Sequence, residues 1–78
     1  MPLQRHQLVR EFPQFRDRIQ HLNRHNQTFH YLAEKYNQID KQVFEFEQGY
    51  QSCEDMYLES LKKKRLYLKD QIFDMLTH

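Results

Sequence analysis

Glycine occurs once in this chain, cysteine once, proline twice and tryptophan not at all. Each scarcity excludes something. With so little glycine and proline there is almost no chemistry for hairpin turns, and no stretch alternates apolar with polar residues as a half-buried strand does, so the sequence reads as all-α. One glycine also cannot build a phosphate-cradling loop. The lone Cys53 has no intramolecular disulfide partner, and the opening MPLQRHQLVR lacks the apolar segment of a signal peptide; the expected setting is cytoplasmic. No apolar run approaches the roughly 20 residues of a membrane span, so no membrane insertion is expected. A net charge of +1 gives no global attraction to nucleic acid.

What is present points to a folded but thin object. Six phenylalanines and five tyrosines argue against disorder, where aromatics are sparse. A chain of 78 residues forms one domain, which buries only about 60% of its unfolded surface and has little room for a deep substrate pocket. Charge is unevenly spread: residues 1–30 carry five arginines against Glu11 and Asp17, residues 31–60 are strongly acidic, and residues 61–78 are basic again.

The spacing predicts a single helical-hairpin domain over residues 1–78, with a flexible arm at 1–11, a short helix at 13–23 and long helices at 27–48 and 54–76. Pro13 suits a first helical turn, where its missing N–H costs nothing. Leu8, Phe12, Phe15, Ile19 and Leu22 form an apolar stripe through this region. Asn26 is a good N-cap for the second helix, whose Phe29, Leu32, Tyr36, Ile39, Val43 and Phe46 alternate steps of three and four like a coiled-coil seam. Gly49 fits the position just past its end. Ser52 and Asp55 resemble a capping box for the third helix. A link this short forces the two long helices antiparallel.

The run Lys62, Lys63, Lys64, Arg65 looks like a basic patch until it is wound into a helix. At about 100° per residue its members spread around the circumference. Tyr57, Leu58, Leu61, Leu68, Ile72, Met75 and Leu76 share one apolar arc, and Arg65 falls inside it. Lys64 and Lys69 flank the arc, and Lys63 points away. The second helix carries acids in its own seam, Asp40 and Glu47. If the hairpin turns at residue 51 or 52, facing positions sum to about 104 and Asp40 lies opposite Lys64 and Arg65. The expectation is an Asp40–Arg65 ion pair at or near the core, fixing register rather than adding much stability. Outside the main arc, Leu66 and Phe73 make a second stripe. One reading has it receive Phe15, Ile19 and Leu22 from the first segment; the other makes it a self-association surface.

Read in order, EFPQFRDRI, NQTFHYLAEKYNQIDKQV, Glu47, a short loop and LKKKRLYLKDQI resemble the YdcH-like family of small bacterial proteins, a domain of unknown function. The closing pattern is carried by Leu61, Lys62, Lys63, Arg65, Leu66, Leu68, Lys69, Asp70 and Ile72, and Asn37 with Asp40 also matches. The chain departs from the pattern at Gln27, where proline is frequent, and at Tyr36, where histidine is. The resemblance implies a helical hairpin and a bacterial cytoplasmic protein, and it brings no established activity.

No catalytic constellation is visible. Cys53 reads as an ordinary thiol beside the turn. His21 and His25 supply half of a zinc site at helical spacing, with no further ligands to complete it. The expectation is therefore a protein that is not an enzyme, with no cofactor, metal or small-molecule substrate, acting through an unknown protein partner or as a homo-oligomer. The alternative is weak nucleic-acid binding by Lys62, Lys69 and arginines such as Arg16 or Arg18, with Tyr31 and Tyr67 to stack on single-stranded bases.

Overall fold

The computed structural model describes residues 7–49 and 55–77, all in helices and their connections. In chain order the helices are α1 (Leu8–Glu11), α2 (Arg16–His25), α3 (Gln27–Glu47) and α4 (Asp55–Thr77), with a 3-10 turn at Pro13–Phe15 between the first two. The capping role expected of Ser52 and the setting of Cys53 lie outside the described residues.

Local chemistry explains the boundaries. Phe12 precedes a proline, whose ring disfavours helical backbone in the residue before it; Phe12 adopts φ −129°, ψ 63°, and α1 ends there. Pro13 then opens the 3-10 turn that feeds α2. Asn26 is at once the end of α2 and the start of α3. Its N–H donates to the Leu22 carbonyl at 2.8 Å, while its side-chain Oδ1 accepts from the Phe29 N–H at 2.9 Å. At the other end of α3 the Gly49 N–H donates to the Phe46 carbonyl, and Gly49 has φ +82°. Open space surrounds it, so backbone conformation rather than crowding favours glycine there.

The contacts Phe46–Tyr57 and Asp40–Arg65 run in opposite directions along α3 and α4, which makes the pair an antiparallel hairpin in the register of a turn at residue 51 or 52. The N-terminal segment folds back over one face at the open end, and the molecule measures 37 × 24 × 17 Å. There Leu8, Phe12 and Ile19 close over Phe29, Ala33, Tyr36, Ile72 and Leu76 to form the core. Ala33 is the small residue that lets this segment approach α3 closely. Val43 and Leu61 are buried nearer the loop, where α3 and α4 alone pack among the described residues.

Two expectations are corrected. Residues 7–11, read as part of a flexible arm, include a helical turn docked on the core with Leu8 buried; residues 1–6 lie outside the described residues. The short helix expected at 13–23 begins as a 3-10 turn and continues to His25, directly up to the break at Asn26.

Candidate functional site

The only charged side chain buried completely among the described residues is Asp40, on the inward face of α3. A carboxylate removed from water is strongly unfavourable unless it is paired and hydrogen-bonded. Arg65 of α4 meets it, with Nη1 donating to Asp40 Oδ1 at 3.1 Å, while the Arg65 side chain keeps 18% exposure. The Arg65 side chain is thus not wholly withdrawn from water, which reduces its desolvation cost. One turn before Asp40, Tyr36 is also buried. Its phenol is pushed well above its ordinary range, first by burial, then by the Asp40 and Glu11 carboxylates, against a smaller opposing effect of Arg65. Every fully buried side-chain N or O atom among the described residues has a hydrogen-bond partner.

Above this cluster lies a shallow groove lined by Glu11, Tyr36, Lys62, Arg65, Leu66 and Lys69. Each of its lysines is committed to a carboxylate. Lys69 Nζ donates to Glu11 Oε1 at 3.1 Å and also sits 5.7 Å from the centre of the Phe12 ring. Lys62 lies 3.5 Å from Glu47 and 3.9 Å from Glu59. Both lysines named as phosphate handles are therefore engaged with carboxylates. The Glu11–Lys69 pair escaped sequence reasoning because its members are 58 positions apart. A trace of it existed, since Glu11 lies beside the apolar stripe and Lys69 borders the core arc.

Leu66 and Phe73 are separated in role. The Phe73 ring packs against Phe12 at 5.4 Å and against Phe15 edge-on at 6.2 Å, so the first segment takes it up. Leu66 remains 58% exposed. Ile19, expected on this stripe, turns instead into the core beside Ala33.

Among the described residues the opposite face of the hairpin has no such cover. Leu32 and Ile39 of α3 and Leu68 of α4 form an apolar floor, flanked by Tyr31 and Tyr67 with Lys35 and Lys64 at its borders. Tyr31 and Tyr67 are 60% and 64% exposed. Lys35 Nζ lies 5.6 Å from the centre of the Tyr31 ring.

His21 and His25 do share a helix face, with ring centres 4.6 Å apart, and His30 Nδ1 lies 3.0 Å from Asn23 Oδ1 across the α2–α3 break. Among the described residues no three His, Cys, Asp or Glu side chains are grouped to hold a metal ion. No helix among them is long and apolar enough to cross a membrane.

Comparison with known proteins adds one match. The model of a family described as a protein of unknown function (DUF465) aligns with residues 29–76, which takes in most of α3 and nearly all of α4. No curated protein matches the chain, and no solved structure does.

Proposed function

The chain belongs to the DUF465 family of proteins of unknown function, with which its YdcH-like resemblance agrees, and from that premise we propose that it is a non-enzymatic helical hairpin that works by protein association. The observation that carries this reading is the uncovered face of the hairpin, where Leu32, Ile39 and Leu68 line a groove between exposed Tyr31 and Tyr67. Exposed aromatic rings bordering an aliphatic floor are the composition of an interface centre. The polar cluster supports the non-enzymatic half. Asp40 is bonded to a guanidinium and Tyr36 is buried beside it with its phenol pushed well above its ordinary range, the arrangement of a structural tie. The cytoplasm is its proposed setting, in keeping with the lone Cys53.

Photo-crosslinking residues placed in turn at Tyr31, Met56 and Leu66 of the full chain, in living cells, test association. A discrete adduct of fixed stoichiometry from any of the three supports the reading, and none from any of them defeats it. A second reading, single-stranded nucleic-acid binding, draws on the meeting of Tyr31 and Tyr67 with Lys35 and Lys64 in one groove. Retention of an oligonucleotide that falls with salt would favour it.

A further inference from the structure

We propose that the groove between α3 and α4 on the uncovered face is the seat of an acidic amphipathic helix from a different protein. This rests on the association reading above and names the chemistry of the partner. Among the described residues, ten line the groove; Lys35 and Lys64 are the charged ones, and none of the ten is an acid. A cationic border around an apolar floor selects a helix with leucine-like anchors and flanking carboxylates.

The fold supplies the geometry. On the other face of this hairpin the cover comes from the chain itself, where Leu8, Phe12 and Ile19 lie over Phe29, Ala33 and Ile72. A helix laid along the open groove would complete the second side in the same way. The lining runs from Tyr31 to Gln42 on α3, a span of about 17 Å, which matches roughly three turns of a partner helix.

Two other occupants fit less well. A two-fold dimer through this face would gather Lys35 and Lys64 of both copies into one interface with no acid from the lining to offset them. A nucleic acid would find two lysines for its phosphates, hence a salt slope of only about 1.5 and weak binding, and one of its two stacking rings already lies beneath Lys35.

The test uses the full chain and three probes. The first is a 20-residue helix-forming peptide with a leucine stripe flanked by glutamates; the second is its twin with lysine in place of each glutamate; the third is a 20-nucleotide oligothymidylate. Anisotropy gives the affinities, and amide NMR shifts locate the contact. The expected result is binding of the acidic peptide at micromolar concentration, with shifts centred on Leu32, Ile39 and Leu68 and about tenfold weaker binding of the lysine twin. Lys35→Glu combined with Lys64→Glu, at two exposed positions that leave the helical spectrum unchanged, is expected to exchange the preference of the two peptides.

Equal binding of the twins overturns the proposal, as does tighter binding of the oligonucleotide, peptide shifts on another surface, or no binding at millimolar peptide. Concentration-dependent shifts at Leu32, Ile39 and Leu68 without any peptide overturn it too, in favour of a second copy. A cellular adduct from Leu66 or Met56 with none from Tyr31 removes this groove while leaving the association reading standing.

Discussion

The two ends of the hairpin are built differently. At the open end the N-terminal segment adds a third layer, and Phe29, Tyr36 and Ile72 are wholly buried beneath it. At the loop end, among the described residues, α3 and α4 have only each other; Val43 and Leu61 are buried, and Phe46 and Tyr57 make an edge-on ring contact at 5.9 Å while Tyr57 stays exposed. Asp40 and Arg65 stand between the two regimes. Two helices shelter one line of residues, whereas three can shelter a cluster, so apolar bulk concentrates where the third layer lies and charge marks where it stops.

The sharpest way to break this contrast is to remove bulk at each end. Phe29→Ala is expected to cost about 3–5 kcal/mol, against a total stability of roughly 4–12 kcal/mol for a domain of this size. Val43→Ala at the thinner end should cost about 2 kcal/mol. Urea unfolding of both variants measures the difference, and equal losses would mean that the ends are energetically alike.

Cutting the boundary pair comes next. Asp40→Ala leaves the Arg65 guanidinium half-buried against apolar neighbours and should cost about 3 kcal/mol. The double change Asp40→Leu with Arg65→Met should recover most of that loss, since an apolar pair of similar size needs no desolvation. A double-mutant cycle on unfolding free energies separates these outcomes. If the double variant stays as unstable as Asp40→Ala, the pair contributes stability outright.

Alkaline titration isolates the covered end. Tyr36 has a folded-state pKa raised above its unfolded value of about 10, so its neutral form is favoured by folding. Its contribution is complete below pH 10 and is lost as pH climbs above that value, because the unfolded chain then releases a proton that the folded chain retains. Stability should fall by up to about 1.4 kcal/mol per pH unit in that window, and Tyr36→Phe should flatten the fall. Smallest is the surface tie of the covering layer. Lys69→Met removes the Glu11 contact while keeping an apolar stem, and should cost at most about 1 kcal/mol, read as faster hydrogen exchange in the N-terminal segment with little change across Val43 and Leu61.

Much of the hairpin was legible in residue order. Phe29, Tyr36 and Val43 on one helix and Leu61, Ile72 and Leu76 on the other follow helical periodicity, and all are buried. Asp40 opposite Arg65 was readable because two simple inferences combine: both residues lie within apolar arcs, and a short loop sets the facing positions. Leu8–Glu11 was not legible as structure. A four-residue helix has no stability of its own, and its order comes from contacts such as Phe12 on Phe73, which no local pattern encodes. Ala33 was passed over for a related reason, since a small side chain signals close approach only once the approaching element is known. The open groove was not legible either: Leu32, Ile39 and Leu68 read as seam and core positions, and which face stays uncovered depends on where the N-terminal segment goes.

Asn26 leaves no slack between α2 and α3, because one residue closes the first helix and opens the second. The path through Phe12 and Pro13 is different: it has no side-chain cap at either helix end, and its order comes from aromatic stacking and one ion pair. The covering layer is therefore hinged at one edge and fastened at the other. Loosening should therefore begin at the uncapped end, where Leu8 lies beside Ala33 and Phe12 on Phe73, while Asn26 still ties α2 to α3.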